Sequence, residues 1–467
     1  MFGLDTTLTV LLILCLLLAC FFEFINGFHD TANAVATVIY TNSMKPTVAV
    51  VYSGLLNFTG VMLGGITVAM GIVNLLPMDA LIDSNPYHGI AMIMALLLSA
   101  IIWNFGTWYF GIPSSSSHTI IGSIVGIGMA FAFLPGDYGF NAVNWDKAKE
   151  TGLALLLSPL LGFSTAIIVM FLFKRIIKND IIYKEPIPGK VPPLWVRLLL
   201  WSTCGLVSFF HGQNDGQKGV GLIMLILIAV LPAQFSLDSG IDLQKINNNV
   251  ITIQTLVAKA DTAVLSKKEK TMYAEVISYA DHFKNQVGSY HSTNDVDVTN
   301  RFSLRKDIIK VTKNSEKLIS GGNLALSTNE IKDLKHEIKA TKKLVEYAPS
   351  WVIILISLCL GLGTMVGWKR IVKTVGEKIG KQHMSYAQGA SAEIVASIGI
   401  GLASWKGVPV STTHMLSSGV AGSMVAKKGL KNLQKGTVKT IALTWVLTLP
   451  ATVILSGGLF LLFRAIL

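Results

Sequence analysis

Two acidic residues stand where a largely apolar chain should carry none. Asp30 lies in Asn26-Gly-Phe-His29-Asp30-Thr-Ala-Asn33-Ala, and Asp215 lies in His211-Gly-Gln-Asn214-Asp215-Gly-Gln-Lys218-Gly. An ionised carboxylate inside a bilayer costs about 3 kcal/mol on insertion scales, so each is a functional hypothesis by default. The Gly, Asn and Gln around them break a helix and free backbone carbonyls. Those are hard oxygen ligands, suited to Na⁺, H⁺ exchange, Mg²⁺ or Ca²⁺ rather than to soft metals. The plainer reading is that each Asp caps a broken helix or pairs with a neighbour such as Lys218. Its recurrence at matching positions weighs against that.

A second pair of motifs supplies hydroxyls. Gly111-Ile-Pro113 leads into Ser114, Ser115, Ser116, Ser117, His118 and Thr119, and Gly407-Val-Pro409-Val leads into Ser411, Thr412, Thr413 and His414. A chain break followed by a helix N-terminus carries unpaired N–H groups and about half a positive charge, enough to hold a phosphate or sulfate without a full Lys or Arg. Ser and Thr also serve as ordinary glue between membrane helices. Two clusters at equivalent positions favour binding. His118 and His414 are read as supports that hydrogen-bond the hairpin backbone, with titration near neutral pH as the alternative. His29, next to Asp30, is a weaker candidate for proton coupling. Carrying a divalent anion into a cell 100 mV negative inside costs about 4.6 kcal/mol, so uptake needs compensating cations or a neutral metal complex.

These groups need elements to position them. The chain of 467 residues is 51% hydrophobic and 14% charged, against about 25% charged in soluble proteins. Nearly half of its charged residues fall in 235–347, where 17 Lys/Arg and 14 Asp/Glu mix with Asn and Thr. The remainder reads as a membrane body. Its net charge of +12 marks basic loops beside anionic lipid rather than a nucleic-acid surface. Cys15, Cys20, Cys204 and Cys359 lie in apolar stretches and make neither a disulfide framework nor a metal site.

Apolar stretches long enough to span, or to form arms of hairpins, run over 8–40, 46–76, 89–110, 120–134 and 151–173. They resume at 196–232, 349–368, 386–404, 408–426 and 440–463. The opening stretch lacks a basic leader and a small-residue cleavage site, so it is not expected to be a cleaved signal peptide. The insert carries helix-start signatures at Ser266 to Glu269 and Ser327 to Glu330, and is read as a solvated helical cap without chemistry.

The motifs occur in the same order in both halves. Asp30 to His118 spans 88 residues and Asp215 to His414 spans 199, and removing the insert of 113 residues nearly equalises them. Placing the Lys/Arg-rich loops inside gives the halves opposite orientations, the plan of many secondary transporters with a midplane site. The expected fold is therefore an all-α polytopic membrane protein. It has an inverted repeat of five hydrophobic segments per half, with broken helices and helical hairpins. Its parts are repeat 1 over 1–180, a basic cytoplasmic linker over 181–195, repeat 2 over 196–234 and 348–467, and the soluble insert over 235–347. The termini and the insert are expected outside the cytoplasm.

At these residues the sequence resembles the inorganic phosphate transporter (PiT) family, especially its bacterial low-affinity members, whose repeated signature is Gly-Ala-Asn-Asp-x-x-Asn-Ala. The likeness covers both membrane halves. It implies symport of inorganic phosphate with H⁺ or Na⁺ across the bacterial cytoplasmic (inner) membrane, uptake in some members as a neutral complex with Mg²⁺, Ca²⁺ or Zn²⁺, and an assembly that is often a homodimer. By matching motif, Asp30, Asn33, Asn214 and Asp215 correspond to cation-site positions, with Asp30 and Asp215 as metal candidates. Ser114 to Thr119 and Ser411 to Thr413 correspond to phosphate-binding hairpin tips. Two departures stand out. His29 replaces an Asn of the first copy and Lys218 an Asn of the second, so a fixed cation takes one ligand position and favours H⁺ over Na⁺. No resident cofactor is expected. The rival readings are a Na⁺-coupled phosphate symporter and a transporter of another tetrahedral oxyanion such as sulfate. An intramembrane hydrolase is disfavoured because no Gly-x-Ser-x-Gly elbow is present.

Overall fold

The computed structural model describes residues 4–75, 86–131, 133–134, 145–187, 189–288 and 290–467. It is all-helical; among the described residues the only β pairing is an isolated bridge between Gly380 and Leu433. Chain contacts divide it into two units, Gly3–Ile226 with Ala348–Leu467, and Leu227–Tyr347.

In the first unit the helices run in two series. The first series is α1 (Thr6–Asp30), α2 (Ala32–Tyr40), α3 (Pro46–Leu63), α4 (Thr67–Val73), α5 (Pro86–Tyr109), α6 (Ser116–Phe131) and α7 (Trp145–Ile176). The second opens with α8 (Leu194–His211), a π-turn over Gly212–Gly216 and α9 (Gln217–Val230). After the second unit it continues with α10 (Ser350–Met365), a short bent continuation (Lys369–Lys378), α11 (Tyr386–Trp405), α12 (Thr412–Lys428) and α13 (Lys435–Ile466). Six described helical segments are long and apolar enough to cross a membrane, seven if the bent pair after Ser350 counts as one. Large apolar side chains on their outer faces stay uncovered, Ile454 to 75%, as a lipid-facing surface requires. α6, with 16 residues, is too short to cross alone and works as one arm of a hairpin.

Element for element the two series agree. Each opens with a helix interrupted beside the acidic motif, at Thr31 in one and at Gly212–Gly216 in the other. Each closes with a 32-residue helix carrying an internal proline, Pro159 in α7 and Pro450 in α13. Packing is exchanged between them. α6 presents Gly126 so closely to α13 that a Cβ would lie 2.2 Å from the Val453 carbonyl oxygen, and Gly422 of α12 meets Phe163 of α7 at the same 2.2 Å. The interruption behaves likewise: Gly27 lies against Leu360 of α10, and Gly212 against Asn57 of α3.

The second unit is a set of helices over Leu243–Ala258, Lys267–Val287, Val298–Gly321 and Thr328–Lys342, closed over Val250, Ile253, Phe283, Ile308 and Leu334. Ser266 with Glu269, and Ser327 with Glu330, form reciprocal capping boxes that satisfy the first N–H groups of two helices. Arg305 is fully buried there and its Nη1 donates to the carbonyls of Ser236 and Val345, each at 2.8 Å. Burial lowers the Arg305 guanidinium to a pKa of about 10, still charged at neutral pH.

A buried site shared by the two series

The hairpin tips are built alike. Gly111 and Gly407 take φ of +67° and +68°, a left-handed conformation that glycine adopts without steric cost. Gly111 N–H bonds the Trp108 carbonyl and Ile112 N–H that of Thr107; Gly407 and Val408 repeat this with Ser404 and Ala403. These are paired bonds of the kind that close a helix C-terminus, and the proline two residues later stops the helix from resuming at once. A serine then caps the next helix. Ser115 Oγ accepts from His118 N–H at 3.3 Å, and Ser411 Oγ from His414 N–H at 3.1 Å.

Past these caps the side chains cross between series. Thr413 donates to Asp30 Oδ1 at 2.8 Å and Thr412 to Asp30 Oδ2 at 3.3 Å. Ser116 donates to Asp215 Oδ2 at 3.1 Å, and the Lys218 ammonium both pairs with that oxygen at 2.8 Å and donates to Ser117. Asn33 Nδ2 donates to Thr413 at 3.1 Å, so Asn33 and Lys218, equivalent positions of the repeated motif, address equivalent hydroxyls. Asp30, Asp215 and Lys218 are at most 2% exposed.

His211 joins the two carboxylates. Its Nδ1 meets Oδ1 of Asn57 at 2.9 Å, and the Asn57 amide donates to Thr364 at 2.9 Å. The Asn57 oxygen is thus the acceptor, so His211 donates through Nδ1 and turns Nε2 inward. That Nε2 lies 3.5 Å from Asp30 Oδ2 and 3.8 Å from Asp215 Oδ2, with no hydrogen-bond partner. Asp215 Oδ1 is also unpartnered. One ligand atom each from Asp30, His211 and Asp215 lie within 4.8 Å of one another, a donor set of two carboxylates and an imidazole that fits a divalent cation.

Other expected residues hold the frame. His29 bonds Asp30 Oδ1 through Nδ1 at 3.0 Å and Thr107 through Nε2 at 3.3 Å. Asn214 accepts from Val410 N–H and donates to Ser404, tying the second interruption to its own hairpin. Ser114 accepts from the Trp103 indole, and Thr119 bonds Asn104 and the Ser115 carbonyl; neither touches the carboxylates. His118 and His414 depart from the expected backbone hydrogen bonding. Their rings stack with centroids 4.5 Å apart, His414 also lies 4.0 Å from Trp445, and His118 Nδ1 and both His414 nitrogens have no partner.

The sequence names His211 in its motif but gives it no role, and it does not single out Asn57 or two buried glutamates away from this cluster, Glu23 and Glu393. The glutamates carried a signal, each being a carboxylate inside an apolar stretch. His211 and Asn57 meet only through tertiary packing.

The model of the Phosphate transporter family matches residues 26–456. The chain is 41% identical to the low-affinity inorganic phosphate transporters PitB and PitA of Escherichia coli (strain K12), covering 98% of this chain and 97% of each relative. It is 30% identical to a probable low-affinity inorganic phosphate transporter of Bacillus subtilis (strain 168), over 96% of this chain and 95% of that one. A solved structure titled "The sodium-dependent phosphate transporter" shares the fold, with a TM-score of 0.55 at 20% identity over 98% of this chain and all of that one.

Proposed function

This chain belongs to the phosphate transporter family and is a multi-pass membrane protein, and on that premise we propose that it is a secondary active symporter taking up inorganic phosphate across the bacterial inner membrane with protons. The relatives named as low-affinity inorganic phosphate transporters support the substrate. We further read the two series as an inverted repeat with the basic linker on the cytoplasmic side. The exchanged packing and the Lys/Arg-rich loops support this reading.

The observation that carries the coupling is the inward Nε2 of His211, which faces two carboxylate oxygens. Two carboxylates this close to one nitrogen repel each other; a proton on Nε2, or a divalent cation among the three groups, supplies the counter-charge. Ser116, Ser117, Thr412 and Thr413 sit beside the carboxylates at two helix N-termini, the arrangement that receives a phosphate. With Asp30 and Asp215 ionised and Lys218 charged, the pocket holds one excess negative charge, so an arriving anion needs a cation loaded with it. Lys218 fills the place of a Na⁺ ligand, which favours H⁺. A divalent metal between Asp30, His211 and Asp215 would enter as cargo, making the complex with phosphate neutral.

Phosphate uptake by proteoliposomes, with pH, Na⁺ and Mg²⁺ gradients varied independently, tests the reading. Uptake driven by an inward proton gradient and stimulated by Mg²⁺ is expected. Strong uptake on a Na⁺ gradient alone, without a pH effect, overturns the proton coupling. Competition by sulfate equal to that by arsenate overturns the choice of phosphate.

A further inference from the structure

Two buried carboxyl groups lie outside the central cluster. Glu23 of α1 is 0% exposed; its Oε1 accepts from Asn26 at 3.1 Å, while Oε2 has no partner and lies against Gly219 of α9. Glu393 of α11 is also 0% exposed; its Oε2 accepts from Thr203 of α8, and Oε1 has no partner. Neither makes an ion pair within the described residues.

Their placement is ordered about the site. Glu23 lies seven residues before Asp30. Thr37, beside Glu393, lies seven residues after it. Seven residues are two helical turns, about 10 Å, and Thr31 keeps helical φ and ψ of −50° and −38° across the interruption, so Glu23, Asp30 and Thr37 lie on one side of a single span. Gly389, one turn before Glu393, has no room for a Cβ against Thr37, which seats Glu393 on that face. The two glutamates thus bracket the Asp30–His211–Asp215 cluster along the α1–α2 axis.

The charged and titratable neighbours differ. Glu23 feels Lys218 of α9 and Asp215 of the π-turn, with Asp30 on its own side, and acts on Cys359 of α10. Glu393 faces Cys204 and Thr203 of α8 and Thr37 of α2, none of them cationic. An ionised carboxylate without a paired cation is expensive to bury. A carboxyl that carries a proton is not.

We propose that Glu23 and Glu393 are proton stations, one on each side of the central cluster, which pass the coupling proton between water and the Asp30–His211–Asp215 site. This rests on the proton-coupled reading above. Each step moves one proton: the entry-side carboxyl O–H gives its proton to the central acceptor and regains one from hydronium in the water, while the exit-side carboxylate, having released its proton to water, takes the next from the centre, with no other bond changed.

Gln has the shape of a protonated Glu but cannot release a proton. The intact chain, unmodified and as Glu23→Gln, Glu393→Gln and the matching Asp variants, is assayed in proteoliposomes for net uptake driven by a pH gradient and for phosphate–phosphate exchange at equal pH. Exchange needs no net proton release. The expected result for each Gln variant is exchange within about twofold of the unmodified chain but net uptake at least about tenfold lower, with recovery in the Asp variant. Net uptake unaffected in either Gln variant overturns the proposal. So does a joint loss of exchange and uptake that Asp does not restore, which marks a packing role. If unmodified protein ignores the pH gradient and runs on Na⁺, the coupling reading fails and takes the stations with it. That outcome is visible before any variant is compared.

Discussion

The hydroxyl of Thr413 donates to Oδ1 of Asp30 across 2.8 Å, joining a hairpin tip of the second series to the interrupted helix of the first. Ser116 and Asp215 make the reciprocal contact. The site exists only where the halves interlock, so each carboxylate depends on a partner from the other half.

Asp30→Asn and Asp215→Asn each remove a buried charge while keeping the side-chain shape. Losing one partner of a desolvated charged pair costs about 2–5 kcal/mol, so uptake in proteoliposomes is expected below about 3% of the unmodified rate. Protein yield and elution as a single species should be unchanged. Near-normal uptake would return both residues to a structural role.

Thr413→Val deletes the hydroxyl that serves Asp30 and Asn33 together. A hydrogen bond to a charged group contributes about 1.5–3 kcal/mol, so uptake should fall roughly 10- to 100-fold. Thr119→Val, whose hydroxyl touches neither carboxylate, should lose less than about threefold. Equal losses would show that the hydroxyls matter only for packing.

Lys218→Asn restores an amide at the position equivalent to Asn33 and frees Asp215 Oδ2 from its ammonium. Uptake by this variant should gain stimulation by Na⁺ and lose part of its response to pH. Measuring initial rates in Na⁺ and in choline media decides it; identical ion dependence to the unmodified protein would rule out Lys218 as the selector.

Gly212→Ala forces a Cβ to within 2.1 Å of the backbone carbonyl oxygen of Asn57, the residue that orients His211. Overpacking of this kind costs about 1–3 kcal/mol. A lower unfolding temperature in detergent is expected, whereas Gly106→Ala, which meets nothing within 4 Å, should leave it unchanged or raise it.

Glu330 in the second unit gives a pH test away from the membrane. Its hydrogen bonds from Lys259 and then Ser327 lower its pKa to about 2. Being depressed, this group stabilises the folded state above the ordinary Glu value of about 4.3 and stops doing so as pH falls towards 2. Amide exchange at the start of the Thr328–Lys342 helix should be faster in Glu330→Gln than in the unmodified chain at pH 7, and the two should converge as pH falls below 4. A gap independent of pH would remove the charge from the explanation.

Much of this arrangement was legible in the sequence because it is local. A carboxylate among apolar residues, a glycine before Pro113 or Pro409, and a Ser three residues before His118 or His414 each announce a break, turn or cap without reference to the rest of the chain. The repetition of those signals let the two Asp motifs and two hairpins be matched. What was hidden is non-local. Nothing near His211 in the chain indicates that Asn57, 154 residues away, fixes its proton on Nδ1. Likewise Ser114 and Thr119 read like Ser116 and Ser117 until the fold turns them toward Trp103 and Asn104, Ser114 from the turn before the helix and Thr119 from its first turn.

The proposed symport requires phosphate to bind between the two carboxylates, against the hydroxyls of both hairpin tips. Arsenate has the same tetrahedral form and an anomalous X-ray signal, so a crystal of the intact chain soaked in arsenate locates the anion directly. One dominant anomalous peak is expected within about 4 Å of the Ser116 or Ser117 hydroxyl and of the Thr412 or Thr413 hydroxyl, a hydrogen bond plus the As–O bond. A dominant peak elsewhere, with none between Asp30 and Asp215, would contradict it.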